Sequence, residues 1–252
     1  SRRRKKGTFQ KGRSITFTTS FGKCGRKPRK RDWSGSRGGN WSTSWRGEGD
    51  WSASGDICNE KMNALFEAAW ELHRFLTEEG IPYVITGGIA VGVWGEPRFT
   101  RDLDVTVLVP LGEEERVIEK VLSRFPPRMT DAKEFALKHR VLLVKVRGWE
   151  VDISFGLPGY EEAAIRRAVP YYLGEGKAIK ICSAEDLIIH KAISGRPRDW
   201  EDIEGVLIRQ EEKLDIKYVE EWLEKFCQAL GRRDFLEAFR EALRKAKAIE
   251  EG

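Results

Sequence analysis

From residue 56 onward the apolar positions recur with regular periods; before it they do not. Met62, Leu65, Phe66, Ala69, Trp70 and Phe75, with His73 on the same stripe, stand at helical spacing within residues 58–79, and Gly80 and Pro82 form the stop. A short strand over 83–86 follows and breaks at Gly87-Gly88, before a small-residue helix over about 89–94 that ends near Gly95 and Pro97. The second strand covers 102–109 and is closed by Pro110 and Gly112. Helical patterns over 113–124 and 131–138 precede strands over 141–146 and 149–155, whose link, Arg147-Gly148, is short enough for a hairpin. A helix over 160–169 leads to a short strand near 178–181, and helices over 184–194, 199–209, 216–230 and 232–249 complete the chain. This order predicts an α/β (α+β) fold: a small mixed sheet with helices over 56–182, then a helical domain over 183–252, without internal repeats.

Composition divides the chain at the same place. Residues 1–55 hold fifteen Lys+Arg against three Asp+Glu, a net of +12. The whole chain of 252 residues is only +5, so the remaining 197 carry −7. The first segment has no Leu, Val or Met and ten glycines; its large apolar residues are Ile15, three phenylalanines and four tryptophans set among Gly and Ser. Too little surface can be buried there to offset chain entropy, so disorder is expected. Two readings compete for this segment: an arm that binds RNA or DNA by phosphate neutralisation and base stacking, and an extension without a selected role.

No apolar run approaches the roughly 18 residues of a membrane span, and the first six residues lack the apolar core of a secretory signal. Cys24, Cys58, Cys182 and Cys227 form no CxxC pair, which argues against a zinc ribbon or disulfide framework and for a cytoplasmic location. Six Asn+Gln against 85 charged residues suit a thermophile. His73, His139 and His190 have no metal-ligand spacing, and His73 reads as a core or boundary residue.

The carboxylates carry the chemistry. Over 102–109 the strand period puts Leu103, Val105, Val107 and Val109 on one face and Asp102, Asp104 and Thr106 on the other. Two adjacent carboxylates repel unless a cation sits between them, and hard divalent ions such as Mg²⁺ are the usual occupants. Residues 149–155 repeat the pattern, with Glu150, Asp152 and Ser154 opposite an apolar face. If the two strands are neighbours, Asp152 joins Asp102 and Asp104 as a third ligand. Upstream, Gly87-Gly88 ends a strand and opens a helix, where free N–H groups favour anions. The same pair also reads as a plain strand-to-helix turn.

The run Thr86-Gly87-Gly88-Ile89-Ala90, continued by Trp94-Gly95-Glu96-Pro97-Arg98-Phe99-Thr100-Arg101-Asp102-Leu103-Asp104-Val105, resembles the GG/GS…DxD motif of the DNA polymerase β-like nucleotidyltransferase superfamily. Its form is most similar to the minimal nucleotidyltransferases, including AbiEii-type toxins of type IV toxin–antitoxin systems. Val151-Asp152-Ile153 resembles the strand with that family's third carboxylate, and residues 183–203 resemble the helical element after its catalytic domain. One departure is Gly88, where a serine often binds phosphate.

The resemblance implies catalysis by Asp102, Asp104 and Asp152 with two Mg²⁺ or Mn²⁺ ions, moving an NMP from an NTP to a hydroxyl of RNA such as tRNA, of protein or of a small molecule. Asp152 would help deprotonate that hydroxyl. Nucleotide binding falls to Gly87, Gly88, Arg98, Thr100, Lys191 and Arg196. Lys191 and Arg196 are candidates for neutralising the triphosphate, or else a solvated helix lysine and a loop arginine. Arg98 either contacts phosphate or braces the acid strand. Asp199 and Asp202 read as structural, as helix caps or partners of Lys191. The family likeness also raises an antitoxin or helical protein as partner. Two further functions stay open: a catalytically silent nucleotide-binding or antitoxin-like protein, and a nucleic-acid binder acting through the basic arm.

Overall fold

The computed structural model describes residues 55–250. The disorder expected of residues 1–55 falls almost wholly outside them. The first helix, α1 (Gly55–Glu78), leads to β1 (Tyr83–Ile85), α2 (Gly87–Trp94) and β2 (Asp102–Leu108). Then come α3 (Glu114–Arg124), α4 (Ala132–His139), the hairpin β3 (Val141–Val146) and β4 (Trp149–Gly156), and α5 (Tyr160–Arg166). Strands β5 (Val169–Gly174) and β6 (Lys177–Ile181) precede α6 (Ala184–Ser194), α7 (Pro197–Gln210), α8 (Ile216–Leu230) and α9 (Asp234–Glu250).

The strands form one mixed sheet in the order β3-β4-β2-β1-β6-β5. The β2–β4 and β1–β6 pairs are parallel, the others antiparallel. At the β3–β4 turn Arg147 and Gly148 both have positive φ, 51° and 84°, as a two-residue hairpin loop that follows strand twist requires. The expected fold class is therefore the observed one.

Most boundaries differ from the sequence expectation by three residues or fewer, and two of the differences have a clear physical reason. The helix over 160–169 ends at Arg166, and residues 169–174 form β5, for which no strand was expected. Pro170 weakens any strand reading, yet β5 is the outermost strand, where a missing N–H costs no ladder bond on the open side. Helix α7 starts at Pro197, two residues early, because proline suits the first helical turn.

Leu103, Val105 and Val107 of β2 and Val151 and Ile153 of β4 are buried, in a core shared with Leu65 and Leu72 of α1, Ile188 of α6 and Phe239 of α9. This core continues past residue 182, so the last four helices pack as part of it. Polar bonds fix them further. Trp94 donates its indole N–H to the Cys182 carbonyl (2.7 Å), and Gln210 and Arg209 donate to the carbonyls of Trp94 and Gly95 (2.7 and 2.8 Å). Asp186, fully buried, accepts from Ser183, Tyr218 and Arg167 and so ties α6 to α8 and to the end of α5.

His73 bonds the Tyr83 hydroxyl at 2.5 Å beside the core, in the boundary position expected of it. Burial pushes the Cys182 thiol well above its usual range, which keeps it inert. No helix among the described residues is long and apolar enough to cross a membrane.

Candidate active site

The parallel pairing of β2 with β4 sets the site. Asp102 lies level with Glu150, Asp104 with Asp152, and Thr106 with Ser154. Residues paired in register project from the same face of a sheet, and neighbouring strands are about 4.8 Å apart. Four carboxylates therefore share one face of two adjoining strands, while the alternate residues are buried on the other. The groove stops at Thr106. There α5 closes over the sheet, and a Cβ on Gly156 would fall 2.8 Å from the Glu161 Cβ and 3.1 Å from the Thr106 methyl.

The acids feel one another. Desolvation first, then the charges of Asp102 and Asp152, push the Asp104 carboxyl up from its usual 3.8 to about 7, against the pull of Lys191 and a hydrogen bond from the Gly88 N–H. Burial likewise pushes Asp152 up; Arg128 draws it down, and Asp102 and Glu150 raise it.

Gly87 and Gly88 are fitted to this face. Gly87 has φ +59°, and a Cβ there would stand 1.8 Å from a carboxylate oxygen of Asp104. A Cβ on Gly88 would stand 2.3 Å from the Thr100 hydroxyl oxygen. Both glycines are required by close approach, Gly87 also by its left-handed backbone. Thr100, itself buried, donates that hydroxyl to Asp102 (2.9 Å). A hydroxyl thus lies close to where a side chain at position 88 would begin.

Arg98 and Lys191 reach the acids through a network. Arg98 forks onto Asp202 with bonds of 2.8 and 2.9 Å; Lys191 donates to Asp202 (2.7 Å) and Asp199 (2.8 Å). Hydrogen bonds from Arg98 and Lys191 hold the Asp202 carboxyl below its usual range although burial opposes them. So the expected partnership of Lys191 with Asp199 and Asp202 is present, and Arg98 braces the segment leading into the acid strand. Asp199 also accepts the Arg196 backbone N–H (3.3 Å), at the start of α7. The structure thus gathers Gly87, Gly88, Thr100, Asp102, Asp104 and Asp152, with Arg98 and Lys191 beside them, while Arg196 stands one residue before α7.

Sequence reasoning missed Arg128. Its guanidinium bonds Asp152 with one nitrogen and Glu150 with the other, the latter at 2.9 Å. It follows Pro126-Pro127 in a stretch without periodicity, so only the acid partners on β4 carried a signal.

The donor set is entirely hard oxygen, which suits Mg²⁺ or Mn²⁺, and the Asp104 carboxyl is raised by burial first and then by repulsion of the kind a divalent ion would relieve. Among the described residues no three His, Cys, Asp or Glu side chains already surround one point. Asp102 and Asp104 lie on one strand, and Asp152, level with Asp104 on the next, is engaged by Arg128.

Residues 74–251 match the family model described as nucleotidyl transferase AbiEii toxin, type IV TA system. No curated protein matches the chain. Among solved structures, an antigenic nucleotidyltransferase-like protein from Paracoccidioides brasiliensis is similar at 17% identity, over 71% of this chain and 93% of that one, with a TM-score of 0.42. The antibiotic-resistance factor ANT(2'')-Ia in solution is similar at 18% identity, over 76% and 96%, with a TM-score of 0.38. Its crystal structure with adenylyl-2''-tobramycin gives 17%, 72%, 98% and 0.38.

Proposed function

The chain belongs to the AbiEii nucleotidyl transferase family, and from that premise we propose that it moves an NMP from an NTP to a hydroxyl acceptor in a metal-dependent reaction that releases pyrophosphate. The observation that carries this reading is the register of β2 on β4, which sets Asp104 directly beside Asp152, with the Gly87-Gly88 turn packed against Asp104 and Thr100.

Asp102 and Asp104 would hold the divalent ions, with Asp152 as the third oxygen donor. When bound, such ions neutralise phosphate charge and acidify the attacking hydroxyl. The chain's own groups do the rest. Gly87 and Gly88 open α2; the Gly88 N–H holds Asp104, and the other first-turn N–H groups without helical partners favour an incoming phosphate. Thr100 fixes the Asp102 carboxylate. Asp152 takes the acceptor's proton as the new O–P bond forms and the α–β anhydride bond breaks. The Arg98–Asp202–Lys191–Asp199 network holds the helical elements against the acid strand.

RNA such as tRNA is the first acceptor to test, ahead of protein and small molecules. Incubation with labelled NTPs, Mg²⁺ and mixed tRNA should transfer label and release pyrophosphate in the native protein and not in Asp102→Ala or Asp104→Ala. The absence of metal-dependent pyrophosphate release with any acceptor would refute the proposal. The family's description makes an antitoxin partner the companion to seek by co-purification.

A further inference from the structure

We infer that Arg128 is a positioning residue for this reaction: its guanidinium is the resident cation of Asp152 and gives that carboxylate up when a divalent ion loads. The inference rests on the metal-dependent reading above.

Arg128 is held in place by its backbone. Pro127 bridges Val144 on β3, the Arg128 N–H donates to the Leu143 carbonyl (3.0 Å), and Lys145 donates to Pro126 (2.9 Å). Leu143 is the cross-strand partner of Asp152, so the chain fixes Arg128 at the height of the third carboxylate, one strand further out. From there the side chain crosses β3 and forks between Glu150 and Asp152, alternate residues on one face of β4. A planar guanidinium with paired donors suits two carboxylates so placed, and an ammonium does not.

The contact also has the character of one that exchanges. The side chains of Arg128 and Asp152 are each 22% exposed, so water and ions reach the pair. An ion at Asp152 competes for an oxygen that Arg128 already occupies. Arg128 bonds Asp152 and Glu150 and neither Asp102 nor Asp104, so loading at that pair does not require its departure. Arg128 thereby stabilises the crowded acid face without metal and weakens loading at Asp152 alone.

The test is Mn²⁺ binding to the full chain, followed by electron paramagnetic resonance and calorimetry. Arg128→Ala and Arg128→Gln should tighten the weaker Mn²⁺ step by about tenfold, the order of one charge-assisted hydrogen bond, with Arg128→Lys in between. Independently of any variant, the Arg128 Nη–H resonances in the native protein should shift and lose protection as Mg²⁺ is added, while those of Arg98 stay. A variant that folds yet binds Mn²⁺ no tighter, or an Arg128 resonance indifferent to saturating Mg²⁺, overturns the inference and leaves the proposed reaction standing. Failure of both native protein and variants to bind Mn²⁺ would overturn the reaction itself.

Discussion

The raised carboxyl of Asp104 makes metal-free stability fall as pH rises. In the unfolded chain this group titrates near 3.8, in the folded one at about 7. Between those values the folded state keeps a proton that the unfolded state has released, so this group's contribution is most favourable below the lower pKa, declines across the window and is flat above it. Three units at about 1.36 kcal/mol each put the full cost at about 4 kcal/mol by pH 8, and relaxation of the half-buried groove reduces it to about 2–4 kcal/mol. Asp104→Asn removes the titration while its amide oxygen still accepts from Gly88. Urea unfolding in EDTA, read by tryptophan fluorescence at pH 4.5, 6 and 8, should show variant and native protein nearly equal at the lowest pH. By pH 8 the variant should be more stable by that amount, and Mg²⁺ should close the gap by stabilising only the native protein. A variant no more stable at pH 8 than at 4.5, relative to the native protein, would refute the reasoning.

Other perturbations have outcomes of similar sharpness. Gly87→Ala must place a Cβ on the Asp104 carboxylate at a left-handed backbone angle, so transfer should fall by about 100-fold or more, measured by pyrophosphate release, with the circular dichroism of the fold retained. Asp202→Ala takes from Arg98 its bonded carboxylate and from Lys191 one of two, at side chains 24% and 13% exposed, and should cost about 1–3 kcal/mol in urea unfolding. NTP affinity, followed by calorimetry, should weaken at least about tenfold in EDTA relative to Mg²⁺, an expectation built on divalent neutralisation of the phosphates; affinity that survives EDTA would favour a silent nucleotide-binding protein instead.

Most of the fold was legible because its periods are undisturbed. The alternation over 102–109 located β2 and identified the acid face, and the same alternation in β4 placed Asp152 on the matching face. Their adjacency was only a condition in the sequence; the β2–β4 register supplies it. What escaped had physical reasons. The alternation in β5 is masked by Pro170, tolerated only because the strand is at the edge, and by continuity with the preceding helical run. Arg128 lies in an irregular stretch, and its role comes from crossing a strand, which no local pattern encodes. Lys191 was legible as a cation near the site, but its partners eight and eleven residues further on, in the following helix, decide its task.

That task follows from counting charges in the network. Arg98 and Lys191 face Asp199 and Asp202, two cations against two anions, with every bond between 2.7 and 2.9 Å. Such a set sums to zero and braces the structure instead of supplying surplus positive charge. A triphosphate entering here would meet carboxylates on β2 and β4, and Lys191 uses two of its three N–H donors on Asp199 and Asp202 and keeps one. Arg128 is likewise committed, to Asp152 and Glu150. Gly88 donates its N–H to Asp104, so what the site offers a nucleotide includes the other N–H groups at the start of α2, the third Lys191 donor and whatever cation joins Asp102 and Asp104. Under the proposed reaction such a site would take the magnesium complex of a nucleotide ahead of the bare polyanion, because the ion supplies the positive charge that the paired side chains do not.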